Sequence, residues 1–154
     1  MRKATFLISA IVSAVVSATL AGGASAQAKP ADAIEYRQGA YEVIGWNFGK
    51  MKAMVQGTAP YDKEAFIKRA DIVALVATLP LEGFGPGTDK GAPTKAKPEI
   101  WTKMDDFKAK MTKMNDEAAK LASIARTGSL DDIKKQFGAT GASCKACHDD
   151  YKAK

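Results

Sequence analysis

Both cysteines and the only histidine of this 154-residue chain fall within five consecutive positions, Cys144-Lys145-Ala146-Cys147-His148. Three chemistries use such a cluster: a redox dithiol, part of a metal cage, or covalent attachment of haem. A structural zinc site takes four protein ligands of Cys or His type, and the chain owns three in all. A thioredoxin-like dithiol sits where a strand enters a helix and has no use for an adjacent histidine. Here the motif lies inside a helical pattern. Haem attachment accounts for every member of it. Cysteines at i and i+3 can each form a thioether along one edge of the macrocycle, and His148 then falls under the iron as its axial ligand. The spacing predicts one haem c per chain, held through Cys144 and Cys147.

These residues need a helix to carry them and partners to enclose the cofactor. Beyond residue 26 the chain shows no period-two alternation of β-branched residues and no hairpin dipeptides, while helical spacing recurs throughout. Ile34, Tyr41, Ile44, Phe48, Met51 and Val55 mark a first helix from Ala31 to about Gln56. Phe66, Ala70, Val73 and Ala77 mark a second from Asp62, its predicted N-cap, to Thr78. A third runs from Pro98 to Gly128, with Ile100, Met104, Phe107, Met111, Met114, Ala118, Leu121 and Ala125 at alternating steps of four and three. Ser129 and Asp132 resemble a capping box for a fourth, whose common face carries Leu130, Ile133, Phe137, Gly141, Cys144, His148 and Tyr151. Four amphipathic segments with mostly short links predict an all-α fold, an antiparallel four-helix bundle with covalently attached haem c. The Gly- and Pro-rich stretch from Pro80 to Pro98 is expected to be a long loop that wraps one end of the bundle or covers the cofactor.

The opening residues predict export. Met1-Arg2-Lys3 is basic, Phe6 to Leu20 is apolar but short for a membrane span, and Ala24-Ser25-Ala26 offers a small-x-small cleavage pattern. A signal peptide over 1–26 is expected, leaving one periplasmic domain over 27–154 with no membrane attachment after cleavage. The chain carries 23 Lys and Arg against 17 Asp and Glu, a net charge of +6 that falls when Arg2 and Lys3 leave with the signal. The remaining charges are interspersed, as on a solvated surface and unlike a nucleic-acid footprint. They could steer an acidic redox partner.

Iron has a second axial face. Only DDYKAK follows the motif, so a ligand for that face must come from upstream. Met104, Met111 and Met114 belong to a core stripe, and Met51 and Met54 lie too far along the first helix. An antiparallel first helix would instead present Arg37, Gln38, Tyr41, Ile44, Gly45 and Phe48, none of them Met, His or Lys. Arg37, on this inner edge, either meets an anion such as a haem propionate or snorkels to solvent.

The C-terminal CxxCH, the first-helix stretch YRQGAYEVIGWNFGKMKAMVQG, the FGPGT loop and PEIW at a helix start together resemble cytochrome c′, over the whole of 27–154. The resemblance implies a four-helix bundle, homodimeric through its first two helices, with five-coordinate haem that binds NO and CO. It implies a role in nitric oxide binding or detoxification. By the match, Cys144 and Cys147 are the thioether residues, His148 the axial ligand, Arg37 a basic residue near the propionates and Lys152 a basic residue beside the histidine. Tyr41 takes the first-helix position that shields the open iron face, where many members have Leu. Its hydroxyl is expected to turn to backbone or solvent, leaving the ring as a lid. Low-spin relatives carry a Met on this helix, and Ala31–Lys50 has none. A periplasmic electron carrier is the alternative function. A peroxidase-like enzyme would want a distal His base, and the chain is expected not to be an enzyme.

Overall fold

A computed structural model describes residues 29–154. The expected signal peptide over 1–26 lies outside the described residues. Helix α1, Pro30–Val55, opens on a proline whose missing N–H would have no helical partner in any case, and Asp32 in its first turn suits the positive end of the helix dipole. It stops at Gln56, and Gly57, at φ +74°, takes the left-handed turn toward the next helix. Asp62 caps α2, Lys63–Val76, by accepting the Ala65 N–H at 3.0 Å, as its sequence context predicts.

The segment after α2 is a strap. It starts as a 3₁₀ turn, Pro80–Phe84, and runs irregularly to Pro98. The third helix departs from the expectation of one continuous element. A single turn, α3, Glu99–Thr102, is separated from α4, Met104–Thr127, by Lys103 at φ −125° and ψ 41°. The turn before the break is engaged by the strap. The Trp101 indole N–H donates to the Gly85 carbonyl at 3.0 Å, and Ile100 is buried, so α3 is packed with the strap.

Gly128 and Ser129 then link α4 to α5, Leu130–Tyr151, which begins on a complete capping box between Ser129 and Asp132. Leu130 was expected to face inward but is exposed, and the core face of α5 starts one turn later, at Ile133.

Packing runs α1 on α2, α2 on α4 and α4 on α5, giving an antiparallel four-helix bundle. The stripes read from the sequence form one core: Phe66, Ala70, Val73 and Ala77 from α2 meet Met111, Ala118, Leu121 and Ala125 from α4. Between α1 and α5, Phe48 stacks on Phe137 with ring centroids 4.1 Å apart, and Gly141 leaves room beside the Phe48 ring. Among the described residues no strand forms. An isolated backbone bridge pairs Ala96 of the strap with Lys152 after α5.

Candidate cofactor site

A cavity of about 650 Å³ is framed by α1, α4, the end of α5 and the strap. That volume lies within the range of pockets that enclose cofactors and drug-sized ligands. Cys144, Cys147 and His148 stand together on its α5 wall. Helical spacing sets Cys147 one turn beyond Cys144, with His148 on the neighbouring position. Cys147 is buried, Cys144 half-buried, and His148 is the most open of the three. Burial pushes the Cys147 thiol up to about 11 and raises Cys144 too, the reverse of the lowered pKa that a redox dithiol relies on. Burial also lowers the His148 pKa, and the nearby Lys152 ammonium lowers it further, so the neutral imidazole that ligates metals is favoured.

The α1 wall carries Arg37, Gln38, Tyr41, Ile44, Gly45 and Phe48, all six residues expected there from the antiparallel geometry, together with Glu42. Arg37 does not snorkel to solvent. It is 1 % exposed, and its hydrogen-bond partners are neutral. Nη1 donates to the Gly83 carbonyl at 2.6 Å and to Thr88 Oγ1 at 3.2 Å, and Nη2 donates to Thr94 Oγ1 at 3.2 Å. The guanidinium also lies over the faces of Phe84 and Trp101, 4.3 and 5.4 Å from the ring centroids. Gln38 Nε2 donates to the Pro93 carbonyl at 2.9 Å. Both side chains thus bind the strap to α1 while bordering the cavity.

Tyr41 is half-buried and its hydroxyl points neither to backbone nor to solvent: it donates to Met111 Sδ at 3.5 Å. Burial, and after it the neighbouring Cys147, raise the Tyr41 pKa well above its ordinary value, so the phenol stays a donor. Lys152 lies at the rim, where its backbone N–H donates to the His148 carbonyl at 3.1 Å. Sequence reasoning expected the strap to wrap the bundle end or cover the cofactor but named none of its lining residues, and it missed the α4 contribution. Met111, Met114 and Phe107 line the cavity, as do Phe84, Lys95 and Ala96. The same three-and-four stripe that marks a core face marks the cavity wall, and periodicity cannot tell a packed neighbour from an enclosed space. Met51, by contrast, is fully buried in the core and does not line the cavity.

The donor set fits haem better than a bare metal ion. Among the described residues no three His, Cys, Asp or Glu side chains gather into a metal cage. Two thiols and one imidazole instead share one wall of a large cavity whose other walls are mainly apolar.

Comparison with known proteins agrees. A family model described as Cytochrome C' matches residues 32–152. Cytochrome c' of Rubrivivax gelatinosus is 45% identical over 126 residues, covering 82% of this chain and 98% of that protein. Among solved structures, cytochrome c prime from Shewanella frigidimarina matches with a TM-score of 0.80 and 49% identity, covering 82% of this chain and 98% of its own. A nitric oxide complex of a cytochrome c prime variant from Alcaligenes xylosoxidans matches with a TM-score of 0.76 and 42% identity, with the same coverage of the two chains.

Proposed function

The chain belongs to the cytochrome c′ family, and on that premise we propose that it is a periplasmic c-type haem protein that captures nitric oxide and carbon monoxide. The observation that carries this reading is the cavity itself. One wall presents Cys144, Cys147 and His148, and the facing wall presents Tyr41, Ile44 and Phe48, with no second histidine anywhere in the chain. The nitric oxide complex of the Alcaligenes relative supports the choice of gas.

Haem, when bound, would supply an iron able to take a small gas. The chain's residues do the rest. Cys144 and Cys147 would hold the haem as thioethers, an addition of S–H across each vinyl group that needs no oxidant. His148 would hold the iron through its ring nitrogen, with Lys152 beside it. Lys152 at the rim and the Arg37 charge bordering the cavity would attract the carboxylates of haem, while the Arg37 and Gln38 donors stay on the strap. Ile44, Phe48 and the Tyr41 ring exclude water and offer bound dioxygen little hydrogen bonding, which favours NO and CO. The signal expected over 1–26 supports export, and the outer face of α1 and α2 supports a homodimer.

Two measurements on the exported protein test this. Haem colour should persist through denaturing electrophoresis and vanish in Cys144→Ala with Cys147→Ala, whereas haem extractable by acid acetone would defeat the assignment. The reduced protein should show a high-spin, five-coordinate absorption spectrum that shifts on adding CO. A low-spin, six-coordinate spectrum abolished by Met111→Leu or Met114→Leu would identify a methionine ligand and make electron transfer the better reading.

A further inference from the structure

We propose that Met111 is a positioning residue for gas capture: its thioether holds the Tyr41 hydroxyl and so sets how readily the Tyr41 ring yields to an incoming gas. The inference rests on the reading of the cavity as a gas-binding haem site. Tyr41 stands on α1 and Met111 on α4, and both line the cavity. Their 3.5 Å contact is, among the described residues, the one side-chain hydrogen bond that joins α1 to α4.

The two partners differ in freedom. Met111 is 1 % exposed and belongs to the buried core cluster, so although it borders the cavity it is the more constrained partner. Tyr41 is half-buried beside open volume, so the ring is the partner that can move. No stronger acceptor claims its hydroxyl. Of the other polar side chains on the α1 wall, Arg37 and Gln38 donate to the strap, and Glu42, exposed at the next position, makes no bond to the Tyr41 hydroxyl. A buried phenol needs a partner, and a thioether is a weak acceptor. The ring is therefore tethered, and a gas that displaces it must break this bond as well as shift the packing. Removing the acceptor lowers the first cost and leaves the second.

A double-mutant cycle on the haem-loaded protein tests the tether. Met111→Leu keeps the side-chain volume and removes the acceptor. Stopped-flow CO binding to the reduced protein should accelerate about two- to tenfold, the span expected for loss of one modest hydrogen bond. Tyr41→Phe should accelerate binding similarly, and adding Met111→Leu to it should change nothing further. Independently of gas binding, the Tyr41 band in ultraviolet resonance Raman, isolated by subtracting the Tyr41→Phe spectrum, should shift in Met111→Leu. Equal acceleration by Met111→Leu in both backgrounds would show that it acts through packing and overturn the proposal. So would an unchanged Raman band. A parent protein whose spectrum does not respond to CO would overturn the gas-binding reading, and this inference with it.

Discussion

Arg37 carries its charge into the interior without a carboxylate among its hydrogen-bond partners. The Gly83 carbonyl, two threonine hydroxyls and two aromatic faces hold it there. Such a site depends on the planar fork of a guanidinium, which a lysine cannot reproduce. Arg37→Lys should therefore lose about 2 kcal/mol of unfolding free energy, the value of hydrogen bonds to a charged group, as measured by denaturant titration. Gly83 is the other half of the joint. A Cβ there would meet the Ala33 carbonyl at 2.6 Å and Arg37 Cβ at 2.9 Å, so the strap would have to lift from α1. Gly83→Ala should cost roughly 1–3 kcal/mol in the same titration, as overpacking does. Equal stability of either variant and the parent would mean that the clamp carries no weight. At this scale the sequence revealed Arg37's inner edge but not its partners, because they lie 46 to 57 residues away on an irregular segment. It placed Tyr41 on the cavity and missed Met111, whose stripe position looks the same whether it faces a neighbour or a space.

At the scale of elements, local chemistry was legible and tertiary influence was not. Asp62 and the Ser129–Asp132 box lie where their own sequences put them, since a cap needs only the next three residues. The break at Lys103 escaped notice because the Trp101–Gly85 bond beside it is a tertiary contact across 16 residues, which leaves no mark in local spacing. The α5 cap also predicts an acid dependence. The Ser129 hydroxyl, and then its backbone N–H, hold the Asp132 carboxyl below the usual carboxylate range. A lowered folded-state value means the cap contributes fully above the unfolded pKa of about 3.9, and its contribution is lost as pH falls through the folded value. Ser129→Ala should lower stability by about 1 kcal/mol at neutral pH. Its deficit should shrink as the pH is taken below 4, where the parent loses the same interaction. A deficit constant with pH would contradict the coupling of Ser129 to the ionised carboxylate.

For the whole molecule, the outer face of the first two helices is the least protein-like surface. Trp46 is 67 % exposed and Leu75 71 %, with Tyr36 and Val43 further along α1. Lys50 covers the Trp46 ring only in part, its ammonium 4.8 Å from the centroid. Arg69, bonded to Asn47 between these helices, has a buried Nε without a hydrogen-bond acceptor. A face of this composition suits association with a second copy, as the resemblance implied from sequence. Trp46→Glu combined with Leu75→Glu should sediment as a monomer while keeping its haem spectrum, and a parent that is already monomeric would remove the argument.

The strap closes the cavity mouth by a backbone bridge. The Lys97 N–H donates to the Tyr151 carbonyl at 3.0 Å and the Ala153 N–H to the Lys95 carbonyl at 2.8 Å. Lys97 Nζ adds bonds to the carbonyls of Asp149 and Asp150. All of these span more than half a hundred residues, whereas α4 and α5 are joined through Gly128 and Ser129 alone. Loop-closure entropy favours the short connection first. Seen as a sequence of events in time, the α4–α5 hairpin with its two cysteines can assemble while the mouth still stands open, and the strap is the buckle that fastens last.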